Sequence, residues 1–344
     1  MDMISRPTSV SYVAPEGKPS PNVHGSWFKR ETSDKDGVKG KAFARNASHE
    51  QRKGKDMETY QVPNGKPYRN WQAVFDDAQP LPWTAFNTGY ILGALQNNAQ
   101  PESFSPHRDP TERYNYAVMA FHFRHPTHGD ILIDTGFDRT FHDHPPYGNL
   151  SFTMRVYYTL MKVQCTQSNG DINLGSHLER HHITPAHVFL THLHADHTAG
   201  LPSVPSQSHL YYGKQERTLI SWLLCGNHLA GKSSIHLLDM STGRALAPFS
   251  HVIDVFGDGT LWAISTPGHT RDHLAYLINT SPTPVLVVGD AELTAWAMKD
   301  DILVSTIDGA RGKQEVQRSA TMIRTFHATY PHVQIWFSHD EDHL

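Results

Sequence analysis

Residues 191 to 200 read THLHADHTAG and place three histidines and one aspartate within six positions, from His192 to His197. Imidazole nitrogens and carboxylate oxygens are side-chain atoms that bind catalytic zinc. The preceding residues 187 to 190, HVFL, form a short apolar run typical of a buried strand. The sequence therefore predicts a strand that ends in a cluster of potential metal ligands.

Three further potential ligands follow apolar runs in the same way. The segments ISTPGHT, VLVVGDA and IWFSHD each pass from apolar residues to one such side chain, namely His269, Asp290 and His339. Strand ends are held by a rigid scaffold, so ligands placed there can meet the narrow distance tolerance of a metal site. We therefore expect the three residues to join the histidines of the opening stretch.

The spacing assigns the first ligands to one ion. His192 and His194 are two positions apart, so they project from the same face of an extended backbone. His269 would complete a site of three protein ligands, the usual number for catalytic zinc.

A second ion would be held by the residues that follow the turn in the chain. Asp196 and His197 point to a neighbouring position there, and His339 would complete their site, with Asp290 as a carboxylate that bridges the two ions. Ligands of nitrogen and oxygen favour two Zn²⁺ per chain, although iron, cobalt or manganese fit the same set.

The composition excludes several classes of partner. The chain has 344 residues and a formal net charge of -4, with no long basic run, so we expect no nucleic-acid partner. No apolar stretch approaches the roughly 18 residues of a membrane span, and the N-terminus lacks the apolar run of a signal peptide, so we expect no membrane partner and a cytoplasmic location. The 2 cysteines are too few for a disulfide framework.

The chain divides by composition into two parts. We predict a polar, partly irregular N-terminal extension over residues 1 to 78 and a catalytic domain over residues 79 to 344, because aromatic and β-branched residues become frequent only near the boundary. Within the domain, strands interleaved with helices predict a layered α/β fold. We predict strands at 116 to 123, 130 to 136, 187 to 190, 208 to 212, 260 to 265, 273 to 278, 284 to 290 and 333 to 340, and helices at 152 to 163, 214 to 224 and 314 to 330.

The order of these motifs resembles a known family. HLHADH, preceded by ILIDTG and followed by TPGHT, VVGDA and FSHD, closely resembles the five-motif pattern of the metallo-β-lactamase superfamily over residues 80 to 344. The resemblance implies an α/β fold of the αββα four-layer sandwich type, with a dinuclear site between two sheets. It also implies that Asp134, in the first motif, is a structural carboxylate beside the site and not a ligand. We expect His273, four residues after His269, to support the ligands in the same way.

Within the superfamily, the segments HPTHGDILIDTGF, THLHADHTAGL, YYGKQE and SHD are most similar to the acyl-homoserine lactonase branch. Three residues after Asp290 those lactonases usually carry a tyrosine that contacts the substrate carbonyl, whereas this chain has Leu293. Leu293 is therefore a candidate substrate contact of a different kind. Tyr157 and Tyr158 could line an acyl pocket, although aromatic residues more often lie in a core.

These features favour a zinc-dependent hydrolase in which a hydroxide held by two zinc ions opens a cyclic ester of a small molecule, with Asp196 orienting the hydroxide and moving its proton. The alternatives are a lactamase or cyclic-carbamate hydrolase and a thioesterase of the same superfamily. A binding module without catalysis would have lost ligands, and all seven are present. The sequence is compatible with a homodimer.

Overall fold

Two β-sheets form the centre of the fold. The computed structural model describes residues 57–104, 109–139, 150–160, 164–166, 172–218 and 225–343. These belong to one compact unit, Lys53–Leu344.

The larger sheet has eight strands. They are β1 (Met57–Thr59), β2 (Trp83–Ala94), β3 (Arg113–His125), β4 (Gly129–Ile133), β5 (Gln164–Thr166), β6 (Pro185–Phe189), β7 (His209–Gly213) and β8 (Ser234–Leu238), and their order across the sheet is β1, β8, β7, β6, β4, β3, β2, β5. β4, β6, β7 and β8 are parallel neighbours, so their carboxyl ends lie at the same edge.

The smaller sheet has six strands. They are β9 (Arg244–Leu246), β10 (Phe249–Asp254), β11 (Leu261–Ser265), β12 (Leu274–Ile278), β13 (Val285–Val287) and β14 (Gln334–Trp336), in the spatial order β14, β13, β12, β11, β10, β9. β13 and β14 are parallel, and the other neighbours are antiparallel.

Seven α-helices lie in the described ranges: α1 (Trp71–Phe75), α2 (Leu95–Asn98), α3 (Phe152–Leu160), α4 (Leu174–Arg180), α5 (Ala195–Thr198), α6 (Ala295–Lys299) and α7 (Gly309–Thr329). α7 begins before the predicted residue 314, and its predicted apolar face is buried. The last residues of two predicted helices, 161 to 163 and 219 to 224, lie outside the described residues. Within the described ranges, no helix is both long and apolar enough to span a bilayer.

The alternating side chains of the strands build a four-layer sandwich. In β4, Ile131 and Ile133 join the core between the sheets, whereas Leu132 packs on the other side with Leu178 of α4. The outer face of the smaller sheet is covered by α1 and by Phe326 of α7. The predicted αββα arrangement is confirmed.

The packed domain begins earlier than the predicted residue 79. β1 pairs in parallel with β8, and Trp71 of α1 is 0% exposed, with its indole nitrogen donating to the carbonyl of Leu246 at 3.2 Å. Residues 57–78 therefore pack in the same compact unit as the residues that follow them. The buried side chains of this segment lie in short elements. Its overall composition is polar, so the few buried residues give no clear apolar pattern in the sequence.

Candidate metal centre

The seven predicted ligands lie in loops that leave strands of both sheets. His192 and His194 follow β6 in the larger sheet, and α5 carries Asp196 and His197. In the smaller sheet, His269 follows β11, Asp290 follows β13 and His339 follows β14. Each side chain therefore stands just beyond a buried strand, as the sequence predicted.

One cluster consists of His192, His194, His269 and Asp290, whose potential ligand atoms lie within 4.8 Å of one another. Nε2 of His269 is 3.0 Å from Nδ1 of His194 and 3.2 Å from Oδ2 of Asp290. Nε2 of His192 is 3.9 Å from the same carboxylate oxygen. This cluster matches the first predicted site.

The second cluster consists of Asp196, His197 and His339, again within 4.8 Å. Nε2 of His339 lies 3.4 Å from Oδ2 of Asp196. The other oxygen of Asp290, Oδ1, is 3.2 Å from Nε2 of His197 and 3.3 Å from Nε2 of His339. The two oxygens of Asp290 thus face different clusters, which is the placement expected of a bridging carboxylate.

The outer nitrogens of two ligand histidines are held by backbone carbonyls. Nδ1 of His269 lies 2.9 Å from the carbonyl oxygen of Ser305, and Nδ1 of His339 lies 2.9 Å from that of Ala117. Because a carbonyl oxygen only accepts, each Nδ1 carries a hydrogen, and Nε2 is the nitrogen that faces the cluster.

The donor set fits a pair of cations. Among the described residues, Nε2 of His192, Nε2 of His197 and Oδ1 of Asp290 are buried without a hydrogen bond of normal geometry. Buried polar atoms of this kind are costly unless they find a partner. Divalent metal ions would provide binding partners for these atoms and for the other nitrogen and oxygen atoms of the two clusters.

Asp134 supports the site without belonging to either cluster. Its Oδ2 accepts from Nδ1 of His197 and from the hydroxyl of Thr191, both at 2.8 Å, and its Oδ1 accepts from the backbone nitrogen of Thr191 at 2.8 Å. The role of Thr191 was missed by sequence reasoning, because threonine carries no signal of metal chemistry. Asp134 lies where the first motif predicted it.

His273 holds the backbone of Asp290. Its Nε2 accepts from the Asp290 nitrogen at 3.0 Å, and its Nδ1 lies 2.9 Å from the hydroxyl of Thr266. Gly289 makes this approach feasible, because it has a φ of 57° and a Cβ at this position would lie 2.7 Å from Nε2 of His273. The supporting position predicted for His273 agrees with this arrangement.

Burial and neighbouring charges set the protonation of the clusters. Burial, then the nearby His269, lowers the pKa of His194 to about 3, so this imidazole is neutral and able to bind a metal. Burial also raises the pKa of the Asp290 carboxyl, but His339 and His197 outweigh it and hold that pKa well below its usual value. The Asp290 carboxylate is therefore ionised.

A cavity of about 450 Å³ opens onto both clusters. Leu293, which is 3% exposed, and Tyr157 lie in its wall, whereas the side chain of Tyr158 lies outside the described part of the chain. Tyr116 also lines the cavity and was missed, because its place there depends on how strand β3 pairs with distant strands. The site residues that reach the cavity are His194, Asp196, His269, Asp290 and His339.

Comparison with curated proteins finds distant relatives. No family model matches the chain. An N-acyl homoserine lactonase AttM of Azorhizobium caulinodans is 24% identical over 217 residues, which cover 60% of this chain and 78% of the relative. The AttM of Agrobacterium fabrum is 28% identical over 141 residues, and the match spans about half of that relative, 53%. A lactamase-like protein, vrtG, of Penicillium aethiopicum is 30% identical over 117 residues, covering 34% of this chain and 31% of that protein.

Solved structures share the fold. The quorum-quenching N-acyl homoserine lactone hydrolase aligns with a TM-score of 0.54 at 15% identity, over 77% of this chain and 93% of that one. A variant of B. thuringiensis AiiA with N-decanoyl-L-homoserine bound at its active site aligns with a TM-score of 0.56 at 16% identity, over 77% and 94%. The chain has a metallo-β-lactamase fold. The two clusters are built from segments that follow strands of both sheets.

Proposed function

We propose that the chain is a zinc-dependent hydrolase that opens the ring of a lactone bearing an acyl chain. The observation that carries the proposal is the position of Asp290, whose two oxygens face two ligand clusters at the base of one cavity. The lactonase names of several curated relatives support the choice of a cyclic ester.

The seven residues of the two clusters would hold the zinc ions. Zinc lowers the pKa of a bound water to about 7 and polarises a carbonyl group, which is the chemistry that ester hydrolysis needs. His192, His194 and His269 would serve one ion, and Asp196, His197 and His339 the other, with Asp290 shared. The buried atoms without hydrogen bonds in both clusters support this assignment.

Asp196 is placed to handle the proton of the attacking water. Its carboxylate lies 3.4 Å from Nε2 of His339 and forms part of the cavity wall, so it faces both the second cluster and the substrate space. A carboxylate there can orient the water and carry its proton to the leaving oxygen of the opened ring.

The cavity suits a small molecule with an apolar tail. Its volume of about 450 Å³ lies within the range of small-molecule sites. Apolar side chains form much of the wall beside the clusters, including Ile91, Met154, Leu293, Val304 and Ile307. An acyl chain would bury its methylene groups against these residues.

A cyclic amide or carbamate is the second candidate substrate. Leu293 places an apolar, buried side chain at the position where the lactonase branch carries a tyrosine. The lactamase-like relative from Penicillium aethiopicum adds support for a different carbonyl contact. The same clusters could act on either ring, because both reactions begin at a carbonyl carbon.

Metal analysis and turnover together test the proposal. The wild type should contain two zinc ions per chain and hydrolyse at least one member of a panel of acyl lactones, lactams and thioesters, with the lactones fastest. His194→Ala and Asp290→Ala should lose metal, and their activity should fall by more than about 100-fold, beyond the effect of removing a supporting residue. His251→Ala, at an exposed position of β10, is the control.

Normal metal content with full hydrolysis in both variants would overturn the assignment. If a lactam is hydrolysed fastest, the protein is still a hydrolase, but the proposal of a lactone substrate is wrong. The homodimer and the cytoplasmic location stay predictions, which sedimentation analysis and cell fractionation can test.

A further inference from the structure

Two histidines meet on strands β7 and β8 of the larger sheet. His209 is the first residue of β7, and the parallel pairing of the two strands places it opposite Ser234, the first residue of β8. His236 lies two positions after Ser234, so both side chains leave the same face of the strand. The sheet therefore brings three polar side chains together toward the amino ends of these strands. The ligand clusters, by contrast, take their residues of the larger sheet from beyond the carboxyl end of β6.

Three potential donor atoms converge at this point. Nδ1 of His209 lies 2.9 Å from Nε2 of His236. The hydroxyl oxygen of Ser234 is 2.8 Å from the first nitrogen and 2.9 Å from the second. Within the first ligand cluster, the nitrogens of His194 and His269 are a similar 3.0 Å apart. Since zinc binds imidazole nitrogen at about 2.0 to 2.1 Å, a single ion can reach all three atoms of the triangle.

A carboxylate holds His236 in the form that binds a metal. Oε1 of Glu58 in β1 lies 3.0 Å from Nδ1 of His236 and accepts its hydrogen. Burial, then the nearby His209, lowers the pKa of His236, so the ring is neutral at neutral pH and Nε2 presents a lone pair to the triangle. Asp134 holds Nδ1 of His197 in the same way at the second ligand cluster.

Both imidazole rings are already held in place. The ring of His209 stacks on that of His187 at 5.2 Å, and the ring of His236 stacks on that of Tyr211 at 4.8 Å. His209 is exposed, whereas His236 is 9% exposed. An ion can therefore enter from the side of His209 and find two rings that need little rearrangement, which favours binding.

We propose that His209, His236 and Ser234 form a further metal site, which binds one divalent transition-metal ion such as Zn²⁺ or Cu²⁺. Imidazole ligands favour these ions over Mg²⁺ and Ca²⁺, which prefer oxygen. For Nδ1 of His209 to bind, the hydrogen of that ring must be on Nε2. The site offers neutral ligands only, so it should bind zinc more weakly than the two ligand clusters, which contain Asp290 and Asp196.

The site has a structural consequence at the edge of the larger sheet. β1 is the edge strand and pairs only with β8 among the described strands. An ion bound at His236 would strengthen the hydrogen bond that Glu58 accepts, because coordination at Nε2 makes Nδ1 a better donor. Zinc would thereby hold β1 more firmly against β8.

Zinc uptake by the full chain tests the site. Zinc per chain is measured at a series of buffered free zinc concentrations. The wild type should bind one ion more than His209→Gln or His236→Gln, and zinc in the two ligand clusters should be equal in all three proteins. His251→Gln, at an exposed position of β10, is the matched control and should bind as the wild type does. His209→Gln alters an exposed side chain, so it keeps the test valid if His236→Gln does not fold.

Two further measurements separate this site from casual binding to surface histidines. Cu²⁺ added to the zinc-loaded wild type should give an electron paramagnetic resonance signal with coupling to two imidazole nitrogens, and this signal should be absent from His209→Gln. Glu58→Ala should weaken binding of the additional zinc by about 10-fold, the lower end of the effect of removing a supporting group, because the Glu58 side chain is 69% exposed.

Equal zinc uptake by the wild type, His209→Gln and His236→Gln would overturn the site, and so would a copper signal that persists in His209→Gln. Unchanged zinc affinity in Glu58→Ala would overturn the role of Glu58. The inference does not depend on the proposed function. If the two ligand clusters hold no zinc, but uptake still falls by one ion in both histidine variants, the proposed function fails and the further site is supported.

Discussion

Three histidines of the site are oriented by groups that belong to neither ligand cluster. His197 is held by a carboxylate, and His269 and His339 are held by backbone carbonyls. Each partner fixes the plane of the ring through Nδ1, so Nε2 already faces the cluster. The rings therefore do not need to be reordered when an ion arrives.

Asp134→Asn tests this orientation at one residue. Asp134 accepts hydrogen bonds from His197 and Thr191 through both oxygens, and an asparagine would replace one of those acceptors with a donor. We expect zinc affinity to fall by about 10- to 100-fold, measured by competition with a chelator. Asp130→Asn is the control, since Asp130 lies on β4, just before Asp134, but contacts His122. Equal zinc affinity in the two variants would contradict the role of Asp134.

Gly289→Ala tests the support that His273 gives to Asp290. The new Cβ would meet Nε2 of His273 at 2.7 Å and displace the contact between His273 and the Asp290 nitrogen. Gly309→Ala carries a similar backbone strain, with a φ of 60° against 57°, but its Cβ would meet no described atom within 4 Å. We expect Gly289→Ala to lose zinc and to unfold at a lower temperature than Gly309→Ala. If both variants lose the same amount of zinc and show the same drop in unfolding temperature, backbone strain alone would explain the effect of Gly289→Ala.

At the scale of elements, a second group of histidines lies on strands β6, β7 and β8. The rings of His187 and His209 stack at 5.2 Å, and Nδ1 of His209 lies 2.9 Å from Nε2 of His236. Burial, followed by the neighbouring His209, His128, His236 and His125, lowers the pKa of His187 to about 4. Glu58 pairs with His236, and Asp258 pairs with His125, which moderates the repulsion if these rings become charged.

The lowered pKa of His187 predicts that the folded state loses stability in acid. An unfolded histidine binds its proton near pH 6.5, whereas folded His187 resists protonation down to about pH 4. Its contribution to stability is therefore present above pH 6.5 and is lost as the pH falls from 6.5 through 4. Urea unfolding at pH 7.5 and at pH 5 should show a smaller difference for His187→Gln than for the wild type or for His251→Gln. A difference as large as that of the wild type would contradict this assignment.

The sequence predicted the elements that carry ligands better than those that do not. The strands that end near His192, His269, Asp290 and His339 were found because each apolar run stops at a polar residue. β8, β9 and β10 were missed, since the segment over 234 to 254 mixes polar and apolar residues without a clear period. The hydrogen bonds to the carbonyls of Ala117 and Ser305 could not be predicted. Every residue has a backbone carbonyl, so the sequence does not show which one a distant histidine contacts.

At the scale of the whole molecule, α1 within residues 57–78 forms part of the outer layer on the smaller sheet. Trp71 packs at ring centroid distances of 5.4 Å from Trp262 and 5.6 Å from Phe326, so it joins α1, β11 and α7. An isolated tryptophan in a polar region gives little periodic signal, which explains the predicted boundary.

Trp71→Ala should therefore destabilise the entire domain. Removing a buried tryptophan costs about 3 to 5 kcal/mol, measured as the change in the free energy of unfolding by denaturant titration. Gln72→Ala, at the exposed next position, should change this free energy by less than about 0.5 kcal/mol. Similar values for the two variants would show that the segment is not part of the folded core.

The ligands come from both halves of the sandwich: four follow β6 in the larger sheet, and three follow strands of the smaller sheet. Zinc bound between them would act as a cross-link, so sliding or opening of the halves would require release of metal. Ions that bind only the folded state, at 100 times their dissociation constant, add about 2.7 kcal/mol of stability per site. The survival of the protein in a cell would then depend on the local zinc supply, and the same clusters that serve catalysis would limit its turnover by proteases.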